Sequence, residues 1–337
     1  MRRIFIIVCI AAQLLVLGVM AGKREFILAT GERIFLRTAP IDPRDPFRGD
    51  FVRLRYDIST AAPEKIRGGL PEHGTKKGYP VYAKLAMGAD DVYSLDYLSD
   101  EEPGDGIFLR GRLRRDWRLT GGGNAVAVDF GIEQLFVEQG SGRAIEQRRG
   151  TRNGLQVPME VELAVSAGGT PVIRDFRWSR LGMGLKMLRF HQRDRNVNLD
   201  DVTEPLSPKL EITLQNVSDA PLTIVDPGNH CGFRLRATLR VSKQYSPLYE
   251  GCQDWPLFDD KSITLAPGEA YTAVLDLSEP RWHIEVDGKR GEIGRYANND
   301  SFRIVYQAAL ADLSAADDGV WKGELPSSAF TAFRIVD

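Results

Sequence analysis

Apolar and polar positions follow two regimes along the chain. Ile4 to Gly22 carries no charge and one amide, Gln13. As a helix at about 1.5 Å per residue, this run spans roughly 28 Å, close to a bilayer's hydrocarbon core. Met1-Arg2-Arg3 precedes it and Lys23-Arg24 ends it. The pattern predicts a transmembrane helix within residues 1–24, with residues 4–22 in the lipid bilayer. The Arg2-Arg3 end then faces the cytoplasm. Val19-Met20-Ala21 also fits a small-x-small cleavage site, so secretion after cleavage near Ala21 is the alternative. Either route puts the rest of the chain outside the cytoplasm.

Beyond the anchor, a period of two dominates. Leu109, Gly111 and Leu113 alternate with Arg110, Arg112 and Arg114. Val126, Val128, Phe130 and Ile132 form one face. Val157, Met159, Val161, Leu163 and Val165 form another, with Glu160 and Glu162 between them. The pattern recurs at Leu210/Ile212/Leu214, Leu235/Ala237/Leu239/Val241, Tyr271/Ala273/Leu275/Leu277 and Phe302/Ile304/Tyr306. Each reads as a half-buried antiparallel strand. Turn signals separate them at Gly121 to Asn124, Ser166 to Pro171, Asp226 to Asn229 and Pro267-Gly268. Weak helical signals occur only at Ala61 to Ile66 and Ala309 to Ala316.

The expected fold is mainly β. A β-rich domain over residues 25–181 and a linker over 182–206 precede an immunoglobulin-like β-sandwich over 207–337. Leu181-Gly182-Met183-Gly184 reads as a connection, and Pro205 and Pro208 punctuate the polar stretch from Asn196 to Pro208. Trp321 to Ser327 and Phe330 to Val336 read as a closing hairpin.

Composition narrows the function. Lys+Arg 44 against Asp+Glu 46 leaves a net charge of −2, which excludes a dedicated nucleic-acid binder. Only 4 His and 3 Cys limit metal and thiol chemistry. No cofactor and no metal site are expected. Cys9 lies in the apolar helix. Cys231 and Cys252 lie outside it, where two thiols most simply form a disulfide. The rival is a copper-handling site at His230, Cys231 and Cys252.

The densest unusual segment runs from Ala39 to Tyr56. Pro40, Pro43 and Pro46 forbid helix and fix a turning path. Gly49-Asp50 reads as a turn and Phe51 to Ile58 as a strand. Phe51, Arg53 and Arg55 would share one face, and Val52, Leu54 and Tyr56 the other. Asp42, Asp45 and Asp50 lie among Arg44, Arg48, Arg53 and Arg55. The structural reading has the carboxylates capping turns and pairing with arginines. The alternative is a hydrolase or metal-dependent enzyme using Asp42, Asp45 and Asp50.

Gly49-Asp50-Phe51-Val52-Arg53-Leu54-Arg55-Tyr56 resembles the signature of the GDYXXLXY-domain family of bacterial membrane-anchored proteins. Phe51 replaces the family's Tyr. The lead-in Pro40 to Asp45, Lys23 to Glu25, Leu109 to Arg112 and Ile132 to Val137 fall in the family's order. The resemblance covers roughly residues 1 to 180. It implies a single-pass protein of the bacterial inner membrane with its bulk periplasmic, and carries no reaction. The expected function is a non-catalytic envelope protein that binds or assembles another envelope protein. Asp42, Arg44, Asp45, Arg48, Gly49, Asp50, Phe51, Leu54 and Tyr56 are the candidate motif or binding residues.

Overall fold

The structure is a computed structural model. It describes residues 2–38, 51–62, 65–70, 75–88, 91–116, 125–138, 141–150, 154–190, 205–226, 230–238, 246–247, 252, 262–286, 288–297, 300–307, 319–321 and 323–336. Helix α1 spans Arg2–Thr30 and α2 spans Ser141–Arg149. In chain order the strands of the first half are β1 (Glu32–Arg37), β2 (Phe51–Arg53), β3 (Thr60–Ala61), β4 (Pro80–Met87), β5 (Val92–Ser99), β6 (Phe108–Leu113), β7 (Val126–Asp129), β8 (Gln134–Phe136), β9 (Leu155–Gln156), β10 (Met159–Val165), β11 (Pro171–Trp178) and β12 (Leu181–Arg189). The second half adds β13 (Lys209–Asn216), β14 (Leu222–Val225), β15 (Phe233–Ala237), β16 (Ser246–Pro247), β17 (Ser262–Leu265), β18 (Ala270–Asp276), β19 (Ile284–Val286), β20 (Lys289–Gly291), β21 (Phe302–Gln307) and β22 (Glu324–Pro326). The protein is mainly β, with one long apolar helix at its start.

Helix α1 stands bare. Ile4 through Phe26 are exposed, and Ile27 is the first buried residue. A helix this apolar is stable in water only if covered. It is compatible with a membrane anchor or a signal sequence.

One eight-stranded sheet organises the first half, in the order β11-β10-β1-β5-β4-β6-β7-β3. Its neighbours are antiparallel except β1 and β5, where Phe35 faces Val92. Ile34, Leu36, Val81, Leu109, Val128, Val161 and Leu163 build its core. These are the alternate positions of their strands, as a pleated sheet with one buried face requires. A second core is shared by the sheet β18-β13-β12-β9, which draws β9 and β12 from the first half, and the sheet β15-β21-β22. Leu185, Ile212 and Ala273 from the first meet Phe233, Ile304 and Leu325 from the second. Two sheets on one core are what a sandwich requires. Phe330 bridges both Phe302 and Ile335 to close the end of the chain.

Two expectations are corrected. Residues 182–189, expected to open a linker, are most of β12, which pairs with β13 along its length and with β9. Gly182 is a packing choice: a Cβ there would lie 3.0 Å from the Leu155 side chain. Ala61, expected to start a helix, ends β3 opposite Val126. Its side chain is buried in the core, and core burial outweighs helix propensity there. The turn at Gly121 to Asn124 and the helical signal at Ala309 to Ala316 lie outside the described residues.

Candidate functional site

The signature segment forms strand β2 and the stretch after it. Phe51 pairs with Phe136, Val52 with Leu135 and Arg53 with Gln134. The Leu54 amide then donates to the Glu133 carbonyl at 2.8 Å. Two segments separated by about eighty residues of sequence, Phe51 to Leu54 and Glu133 to Phe136, are thus one ladder. Glu133 fixes the approach, its carboxylate accepting from the amides of Phe130 and Gly131 at 2.5 and 3.0 Å. The third resembling segment, Leu109 to Arg112, packs nearby. A Cβ on Gly111 would lie 2.5 Å from Val128 and 2.9 Å from Phe130. Only glycine lets β6 pass there.

The signature's own side chains divide by parity. Val52, Leu54 and Tyr56 are buried, while Arg53 and Arg55 are exposed. The Tyr56 hydroxyl donates to the Ile132 carbonyl at 2.9 Å. Burial, and secondarily the charge of Glu133, push its ionisation far above the ordinary tyrosine range. It is a fixed neutral donor, not an acid or base. Leu54 and Tyr56 therefore hold the fold. Of Phe51 only the backbone is described. Asp42, Arg44, Asp45, Arg48, Gly49 and Asp50 lie outside the described residues.

Directly after the signature comes a charged seam between the two halves. Glu160 on β10 is 3% exposed and accepts from Arg37 at 2.9 Å and from Arg177 at 2.7 Å. Register puts the three on neighbouring strands β1, β10 and β11. Arg37 also donates to the Glu324 carbonyl on β22, which joins the halves. The Glu324 carboxylate takes Arg236 through two bonds of 2.8 Å. Arg303 donates to the Ser327 carbonyl at 2.7 Å. Asp57, one residue past Tyr56, is accessible by area but surrounded by this protein wall. That enclosure raises its carboxyl against the pull of Arg37, Arg303 and Arg236. The water it retains limits the size of the effect. For Glu324 enclosure also pushes upward, but Arg236, Arg37 and Lys65 win and hold it below the ordinary range.

The second half holds the cysteine pair. Cys231 and Cys252 form a disulfide, with sulfurs 2.04 Å and Cα atoms 5.6 Å apart. Both thiolates are consumed, so the copper reading of His230, Cys231 and Cys252 is corrected. Among the described residues no group of three or more His, Cys, Asp or Glu could hold a metal ion. His230 instead meets Asp226, Nδ1 to Oδ2 at 2.8 Å, and Tyr271 donates to the same carboxylate oxygen. Asp226 is buried, and His230 adopts a left-handed backbone at φ 59°. Nothing in the sequence paired His230 with Asp226 or named Tyr271. The seam left no trace there either, because Arg37 and Glu160 lie 123 residues apart.

Residues 13–176 match the family model described as GDYXXLXY protein. The N-terminal half is a GDYXXLXY domain. No curated protein and no solved structure matches the chain. The GDYXXLXY match ends at Phe176, on β11, so the seam joins matched and unmatched sequence.

Proposed function

We propose that this is a non-catalytic, single-pass protein of the bacterial inner membrane. Its GDYXXLXY domain and β-sandwich stand on the periplasmic side and bind or assemble an envelope partner. The observation that carries this reading is α1, whose apolar length is bare while its last turn is seated on the body. The disulfide supports an oxidising compartment for the body. The side chains that most resemble chemical equipment are committed to the fold. Tyr56 bonds a carbonyl, Glu160 binds two guanidiniums, and both outer cysteines are joined. Arg53 and Arg55 face outward from the signature strand and present it to a partner.

The test is photo-cross-linking in living cells with a reactive amino acid at Arg53 or Arg55. The reading expects the same envelope adduct from both positions. It also expects the adduct to vanish when Asp42, Asp45 and Asp50 are changed together to Asn. Adducts indifferent to those changes would remove the Asp/Arg segment from the binding surface. No adduct from either position would remove the signature strand too.

A further inference from the structure

Two long strands stand at sheet edges, and the chain treats them differently. β11 ends the eight-stranded sheet, and β18 ends the sheet β18-β13-β12-β9. An edge carries a row of amides and carbonyls that can pair with another chain. Proteins blunt such rows with prolines, bulges and charges. β11 has all three. The Ser179 amide donates to the Pro158 carbonyl at 2.9 Å, so by alternation Arg177 and Asp175 bond inward to β10 and the Phe176 backbone points outward. The outward Phe176 amide is taken by the Asp175 carboxylate at 2.8 Å. Pro171 has no amide hydrogen, and the charged Arg174 is the extra residue where the register shifts.

The stretch Ala270 to Leu275 of β18 has no proline, no bulge and no charge. The Leu277 amide donates to the Pro208 carbonyl at 3.1 Å, and the Asn216 amide to the Glu269 carbonyl at 3.0 Å. These bonds bracket an unbroken register with β13 and both fall on odd-numbered residues of this segment. Tyr271, Ala273 and Leu275 therefore bond to β13, while Ala270, Thr272 and Val274 direct their amides and carbonyls away from it. Among the described residues no strand pairs with that outer row. All three outward residues are exposed, Val274 at 43%. On the core side, Ala273 and Leu275 are buried but Tyr271 is only half-buried. Ile263 on β17, which the Pro267-Gly268 turn joins to β18, is half-buried against the same core. The sandwich's apolar interior is incompletely covered along this side.

We propose that the outer edge of β18 docks an extended segment of an envelope protein, which joins the four-stranded sheet as a further strand. Backbone pairing at Ala270, Thr272 and Val274 holds the segment. Its side chains alternate, as the pleat requires. One set is apolar and extends the core beside Tyr271 and Leu275. The other is small and uncharged beside Thr272 and Val274. Glu269, exposed at the start of β18, favours a cation at the end of the segment that lies against it. Asp276, at the other end, is already engaged by Arg189 at 2.6 Å. A second copy of β18 lacks that cation. Antiparallel pairing of two copies centred on Thr272, Ala273 or Val274 sets Glu269 against Leu275, Leu277 or Glu279. The envelope location of the docked protein rests on the proposed function. The docking itself does not, and it lies on the sandwich rather than on the signature strand.

The test uses the full chain in detergent micelles and a fluorescein-labelled peptide of alternating valine and threonine with a lysine at each end. Anisotropy reads its binding, and hydrogen exchange reads protection of Ala270 to Asp276. Thr272→Pro removes one outward amide and no bond to β13, a place where sheets tolerate proline. Val274→Lys blunts the edge with charge and keeps every amide. The natural protein should bind the peptide saturably, with slowed exchange in β18. Each variant should bind about tenfold more weakly at an unchanged urea midpoint. Where Thr272→Pro lowers that midpoint, Val274→Lys decides. No binding by the natural protein, or equal binding by a folded variant, overturns the proposal. A dimer that Thr272→Pro dissociates, with no peptide bound by the monomer, assigns the edge to a second copy and overturns it too. These outcomes leave the signature-strand reading to its own cross-links.

Discussion

Glu160→Ala removes the carboxylate at the centre of the seam. Glu160 is 3% exposed, and Arg37, which it neutralises, is 7% exposed. Deleting one partner of a buried pair strands the other charge and costs about 3–5 kcal/mol. The second partner, Arg177, has a side chain 44% exposed, so its share is under about 1 kcal/mol. The expected total is about 4 kcal/mol. Glu160→Gln keeps the volume and one acceptor oxygen, and should cost roughly half as much. Urea unfolding in detergent, followed by tryptophan fluorescence, measures both. Because Arg37 also reaches the Glu324 carbonyl, Arg37→Met should split one unfolding transition into two. A cost below about 0.5 kcal/mol for Glu160→Ala, with a single transition in both variants, would refute the seam as a buried ionic joint.

The same geometry sets other outcomes. Replacing Cys231 and Cys252 together by Ala opens a loop of sequence separation 21 and should cost about 3 kcal/mol, read as a lower urea midpoint. Tyr56→Phe loses the bond to the Ile132 carbonyl and should cost about 1 kcal/mol, whereas Leu54→Ala should cost about 3 kcal/mol in the same assay. Gly111→Ala forces a methyl against Val128 and Phe130 and should cost about 1–3 kcal/mol, despite alanine's smallness. Glu324 and Asp276 both sit below the ordinary carboxylate range. Burial opposes this in each, and Arg236 in one and Ser278 with Arg189 in the other prevail. Their stabilisation is present above about pH 4.5 and is lost as pH falls below that. Asp57, raised, works the other way and regains stability on protonation, so Asp57→Asn should steepen the acid loss in a pH series of urea midpoints.

Much of this fold is written locally. The exposed α1 and the alternation of β6, β10, β13, β18 and β21 arise from patterns a few residues long. So does the inward parity of Leu54 and Tyr56. The features hidden from the sequence are those that depend on distance. Leu181 to Gly184 reads as a connection because glycine marks turns. In β12 Gly182 makes room for Leu155, a contact no local pattern carries. Glu160 reads as the wet side of a strand. The second half of the chain covers that side and turns it into a buried joint. Ile132 to Val137 is legible as a resembling segment. Only the register shows it to be the partner of the signature strand.

The central claim is that α1 stays in the inner membrane and both β units lie outside the cytoplasm. Protease treatment of intact cells, spheroplasts and lysed spheroplasts, with the N- and C-termini separately tagged, tests it most directly. The account predicts a full-length, carbonate-resistant membrane protein that is protected in intact cells. In spheroplasts its body is attacked and its N-terminal tag survives. A body still protected in spheroplasts, or a soluble product that has lost residues 4–22, would contradict it.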